Sequence, residues 1–170
     1  PSEEEMKKLL QSAKNITTSF SQTEIQNIIN NKSISIIHFA KGTYNLEMVL
    51  YGKQGIGLKI SRQMTIILDK GVVFNVTGDP YKNITSYSAI RIVGVNATKE
   101  KPLNIFGTLE INGNRNPAID KTYSGEWGMG LALYSSHYVN IQEINSYDNH
   151  GDGIYFASLG GEKNMFTDEE

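Results

Sequence analysis

The chain contains no cysteine in 170 residues. That excludes disulfides, thiol nucleophiles and cysteine-based zinc sites, and leaves the redox compartment open. Histidine is nearly as scarce: only His38, His137 and His150 occur, with no HExxH and no pair at helical ligand spacing. Lys and Arg number 16 against 18 Asp and Glu, so no strong field of one sign exists to grip nucleic acid or an anionic membrane. No apolar run approaches the roughly 20 residues that cross a bilayer, and no charged-then-apolar leader opens the chain. Only 4 prolines stand among abundant Asn, Ile, Lys and Ser, a composition of strands and turns.

What is present is a repeat. Gly130-Leu131-Ala132-Leu133-Tyr134-Ser135 lines up with Gly153-Ile154-Tyr155-Phe156-Ala157-Ser158, and the inner pattern recurs in Gly57-Leu58-Lys59-Ile60 and Ser88-Ala89-Ile90-Arg91-Ile92. Each copy is a small residue followed by apolar, variable, apolar, which is strand alternation at a repeating spacing. A second family reads Met64-Thr65-Ile66, Leu103-Asn104-Ile105 and Val139-Asn140-Ile141. A third is Val72/Phe74/Val76 and Leu109/Ile111, each just after a glycine (Gly71, Gly107).

Two helices precede this material. Ser2 with Glu5 makes a capping box, and Met6, Leu9, Leu10 and Ala13 form an apolar stripe, so residues 2–14 read as an amphipathic helix. A second box, Ser21 with Glu24, opens a helix over 21–30 with Ile25, Ile28 and Ile29 on one face. The division expected is 1–19 as N-terminal helix and linker, then 20–170 as a strand stack with 21–30 as its cap. Three strand families recurring in order predict an all-β, right-handed, single-stranded parallel β-helix with three strands per coil. A β-sandwich is the other architecture with many short strands. Nothing in Gly160 to Glu170 reads as a second cap, so the stack is expected to be truncated at its C-terminal end.

These residues resemble the right-handed parallel β-helix superfamily of the pectate-lyase and polygalacturonase kind, bacteriophage tail depolymerases included. The matching pieces are Phe39-Ala40-Lys41-Gly42-Thr43-Tyr44, Leu68-Asp69-Lys70-Gly71, Ile105-Phe106-Gly107 with Ile111-Asn112-Gly113-Asn114, and Asn149-His150-Gly151-Asp152-Gly153-Ile154. The resemblance covers roughly residues 20 to 158. It implies polysaccharide or a cell-surface glycan as partner and an extracellular or virion-associated setting. It also raises a homotrimer, with the N-terminal helix either packed on its own chain or joining copies. The scaffold hosts hydrolases, lyases and inert receptor-binding fibres alike, so it leaves the reaction open.

In the hydrolases of that superfamily an Asn-Thr-Asp-Gly motif supplies a carboxylate. Gly151-Asp152-Gly153 stands in the same relation to Ile154, with His150-Gly151 replacing Asn-Thr. Asp152 is therefore the first catalytic candidate and Asp148 the second, because glycoside hydrolysis needs an acid and a base or nucleophile. Asp152 flanked by glycines is equally a turn residue. The irregular stretch Gly113 to Met129 holds Arg115, Glu126 and Trp127; a flat aromatic beside a carboxylate and an Arg suits a sugar-binding wall. His150 and Tyr155 complete the substrate-binding candidates, with a hydrogen-bonded turn histidine as the other reading of His150. No metal site is assigned; calcium stays open, because the lyases use it and Asp148, Asn149 and Asp152 offer oxygen ligands. The expectation is a polysaccharide-depolymerising glycoside hydrolase, with lyase less favoured and a non-catalytic receptor-binding or structural solenoid as the alternative.

Overall fold

A computed structural model describes residues 1–82, 84, 86–118 and 127–158. The N-terminal helices form around their capping boxes. In α1 (Glu3–Ser12) the Ser2 hydroxyl accepts from the Glu5 amide while the Glu5 carboxylate accepts from the Ser2 amide. Ser21 and Glu24 do the same for α2 (Gln22–Asn30). None of the α1 residues is buried, whereas α2 sinks Ile25 and Ile29 into the core.

Among the described residues twelve strands follow or intervene: β1 (Lys14–Ile16), β2 (Ile36–Phe39), β3 (Gly42–Leu46), β4 (Val49–Tyr51), β5 (Gln54–Ile60), β6 (Thr65–Leu68), β7 (Val72–Val76), β8 (Ser86–Val93), β9 (Leu103–Asn112), β10 (Gly128–Tyr134), β11 (Val139–Tyr147) and β12 (Ile154–Ala157). They form two sheets. One has seven strands in the order β1-β2-β6-β9-β7-β3, with β11 also paired to β9. The other has five, in the order β12-β10-β8-β5-β4.

The first strand family pairs in parallel as its repeat implies: Leu58 faces Ile90, Ile90 faces Leu131, and Leu131 faces Ile154. Leu58, Ile90 and Leu131 are buried in the core, Ile154 is exposed on the same face at the last strand, and the intervening Lys59, Arg91, Ala132 and Tyr155 form a ladder on the opposite face.

The expected fold class is corrected here. The chain is not a closed solenoid with three separate strands per coil, and it is not all-β. The described residues form a mixed arrangement of two sheets and two helices, and one strand pair among them, β4 with β5, is antiparallel. The physical reason lies in β9. No turn separates the second and third families there: Leu103–Asn112 is one continuous strand that pairs first with β6 (Thr65 to Asn104) and then with β7 (Phe74 to Ile111). Gly107, at φ +92°, takes the bend inside the strand. Families read from the sequence as distinct faces are therefore hydrogen-bonded into one sheet.

The core between the sheets is built of aliphatic and aromatic side chains, with Phe39, Tyr44 and Phe74 clustered edge-to-face and tilted at centroid separations of 5.3 to 5.7 Å. The Tyr44 hydroxyl is buried with it and donates to the Ala40 carbonyl at 2.6 Å, with the Ile16 carbonyl at 3.2 Å sharing the same hydrogen.

Beyond the stretch of β5 that pairs with β4, the edge of β5 at Gly57 and Lys59 is closed by side chains. Gln26 spans the Lys59 backbone, its Nε2 donating to the carbonyl at 2.8 Å and its Oε1 accepting from the amide at 2.9 Å. One helical turn earlier, Gln22 serves Glu47 the same way and also donates to the Gly57 carbonyl. Each glutamine amide thus imitates a peptide group, which blunts an edge that would otherwise recruit another strand. Gln26→Leu keeps the volume and removes both bonds to Lys59, together with the one that Nε2 donates to the Asn30 side chain. It is expected to lower stability by about 1–3 kcal/mol through the unpaired Lys59 peptide, read as a lower urea midpoint at unchanged slope.

Candidate functional site

On the face opposite the core ladder, the five-stranded sheet carries a cleft of about 200 Å³ lined by Gln54, Ser86, Tyr87, Arg91, Trp127, Met129, Tyr134, Tyr155, Ala157 and Ser158. Strand register explains the gathering. Arg91 on β8, Ala132 on β10 and Tyr155 on β12 lie side by side, and Ala132 contributes only a methyl between its two large neighbours. Tyr134, two residues on from Ala132, returns to the same face.

Arg91 is only 2% exposed. Its Nη2 and Nε donate to the Ser88 hydroxyl at 3.0 and 3.3 Å, and its guanidinium carbon lies 4.9 Å from the centre of the Tyr134 ring. Burial lowers its pKa from the usual arginine value, and the Tyr134 phenol opposes that shift. Tyr134 and Tyr155 stand 5.9 Å apart, tilted by 58°. Trp127 is half exposed, and its carbonyl accepts from the Tyr87 amide at 3.0 Å. The result is a shallow hollow with aromatic walls, an arginine in its floor and amide and hydroxyl groups at its rim.

The cleft brings together two of the residues singled out in the sequence, Trp127 and Tyr155, and adds Arg91, Tyr134, Gln54 and Tyr87. It does not include Asp148, Asp152, Arg115 or His150. Asp148 is exposed in a left-handed turn at φ +53°, its carbonyl accepting from the Arg115 amide at 3.0 Å. Asp152 is exposed just before β12, and its carbonyl accepts from the Gly130 amide at 3.1 Å. Arg115 is exposed in the segment after β9. His150 is buried beneath the cleft, with Nδ1 2.7 Å from the Tyr87 hydroxyl. Glu126 lies outside the described residues. Among the described residues no group of three or more His, Asp or Glu side chains converges in a way that could hold a metal ion, and no helix is long and apolar enough to cross a membrane.

Arg91 was missed because its signal looks ordinary: it is the variable position of an apolar-x-apolar strand. The pattern Lys59, Arg91, Ala132, Tyr155 down the variable column could have revealed it, since the column sets two cations and an aromatic around a single alanine.

Burial raises the Tyr134 phenol above its ordinary value, with Arg91 working against the shift and Tyr155 adding to it. Burial and then the charge of Asp69 raise Tyr44 likewise. Both folded-state values exceed the unfolded ones, so the native state holds these protons more tightly. Their contribution is complete below the unfolded tyrosine value and is lost as pH rises through the raised folded values. Stability should therefore fall from about pH 10 upward, and Tyr134→Phe combined with Tyr44→Phe should flatten that fall in urea midpoints taken across the alkaline range.

Compared with family models, curated proteins and solved structures, the chain matches none.

Proposed function

We propose that this chain is a carbohydrate-binding domain and that the Arg91–Tyr134–Tyr155–Trp127 cleft is its glycan site. The observation that carries the reading is the composition of that hollow. Aromatic faces stack on the CH faces of a sugar ring, and a guanidinium with neighbouring amide and hydroxyl groups serves its oxygens. At about 200 Å³ the space is smaller than the ~300–1,000 Å³ of pockets that enclose drug-sized ligands. It suits one ring of a longer chain whose other units run along the exposed sheet face. The partner is a polysaccharide or surface glycan.

A catalytic reading has one observation in its favour. The Asp152 carbonyl is bonded to Gly130, and the Gly151 amide donates to the Gly128 carbonyl at 2.6 Å. The acidic turn is thus tied to the start of β10, the strand that carries Met129 and Tyr134 into the cleft. Glycoside hydrolysis with Asp152 and Asp148 as acid and base would use that proximity. No carboxylate lines the cleft among the described residues, and binding is for that reason the primary reading.

One experiment separates the two. Affinity electrophoresis through gels containing acidic and neutral polysaccharides should retard the protein in at least one gel. Reducing-end release from the same polymer should stay at background, in the parent and in Asp152→Asn alike. Release that disappears in Asp152→Asn would replace the binding reading with hydrolysis; retardation by no polymer would remove both.

A further inference from the structure

His150 sits where three parts of the molecule meet, and its two ring nitrogens are committed to different ones. Nδ1 lies 2.7 Å from the hydroxyl of Tyr87, a wall of the cleft. Nε2 lies 3.0 Å from the backbone amide of Asn116, in the segment that leaves β9. The ring is 8% exposed and is held edge-on by Tyr81 and Tyr87, at centroid distances of 5.5 and 6.0 Å. Gly128 makes room for this packing. A Cβ there would lie 2.6 Å from both the Tyr81 hydroxyl and Tyr87 Cε1, and 2.8 Å from the His150 Cβ.

The donor inventory fixes the tautomer. A backbone amide only donates, so Nε2 must present a lone pair to Asn116. In the neutral ring the hydrogen then belongs to Nδ1, which donates to the Tyr87 oxygen. Tyr87 in turn donates its backbone amide to the Trp127 carbonyl at 3.0 Å. A continuous path runs from the Asn116 backbone through the imidazole to Tyr87 and on to Trp127. It joins the two ends of the segment between β9 and β10.

We infer that His150 is a positioning residue: it locks the cleft wall at Tyr87 and Trp127 to the chain entering at Asn116, in the Nδ1–H tautomer. Its functional consequence rests on the glycan-site reading of the cleft, but the arrangement itself is tested without any sugar. Histidine is suited to this post because it offers a donor and an acceptor at opposite edges of one rigid ring. Neither amide side chain spans both. Asparagine places its amide near the Nδ1 position, toward Tyr87; glutamine places it near Nε2, toward Asn116.

The test has two readouts on the full chain. Long-range proton–nitrogen correlation of the imidazoles should show His150 as the Nδ1–H tautomer, its signals identified by their loss in His150→Asn. An Nε2–H ring, or signals averaged between tautomers, would overturn the assignment whatever the variants do. Trp127 is the sole tryptophan, so acrylamide quenching of its emission reports on the wall directly. His150→Asn and His150→Gln each keep one arm and cut the other, so both should raise the quenching constant about twofold or more. Quenching unchanged from the parent in both variants would show that His150 only fills space.

Discussion

Gly107→Ala should be among the most damaging single substitutions in the chain, costing about 3 kcal/mol or more. Two penalties coincide at this residue. Its φ of +92° lies in the region that L side chains rarely adopt, and an added Cβ would press on the carbonyl oxygen of Leu68 in the neighbouring strand. Backbone cannot swing aside as a lysine stem can, so β6 or β9 must shift. Both strands bury residues in the core, Ile66 and Leu68 on one and Leu103, Ile105, Leu109 and Ile111 on the other. The substitution also acts on the bend that unites two strand families into one sheet, so its effect should reach beyond local strain. Urea unfolding of Gly107→Ala should show a much lower midpoint. Gly78→Ala is the matched control: φ is also positive, at +72°, but its Cβ would come no closer than 3.6 Å to the Glu47 side chain. It should cost clearly less.

Arg91→Met should abolish glycan retention while leaving a cooperatively folded protein. Methionine fills a comparable volume with a flexible apolar chain, so packing against Tyr134 can persist. What disappears is the guanidinium, with its bonds to Ser88 and its place over the Tyr134 ring. A loss of tenfold or more in affinity, about 1.4 kcal/mol, is expected. Arg91→Lys should recover little of it, because a point charge replaces a planar fork that both hydrogen-bonds and stacks. Retention unchanged in Arg91→Met would take the arginine out of the site.

These two residues show what was legible in the sequence and what was not. The capping boxes at Ser2 and Ser21 could be read because a cap is a local, short-range pattern. The core column through Leu58, Ile90 and Leu131 could be read because strand alternation has a fixed period. How strands group into sheets was not legible. Leu103-Asn104-Ile105 and Leu109-Glu110-Ile111 look like separate strands around a glycine turn, and only the tertiary pairing of β9 with both β6 and β7 shows that Gly107 bends a strand instead of ending it. The antiparallel β4 went unread as well, since Val49-Leu50-Tyr51 is too short to show a period.

The candidate site divided along the same line. Trp127 and Tyr155 stood out by chemistry alone, as aromatics near polar loops. Arg91 and Tyr134 did not, because their significance lies in which neighbours the register supplies. His150 was visible as an unusual residue in a turn. Its partners, Tyr87 and Asn116, are distant in sequence and no spacing rule connects them.

The central claim, that the outer cleft binds sugar, is tested most directly through its own tryptophan. The polysaccharide that retards the protein most in the gel panel should be titrated against Trp127 emission, in the parent chain and in Arg91→Met. A saturable change in the parent, shifted to at least about tenfold higher polymer concentration in the variant, is the predicted result. Saturable binding that leaves Trp127 emission unmoved, or that is identical in the two proteins, would place the glycan elsewhere on the molecule and contradict the account.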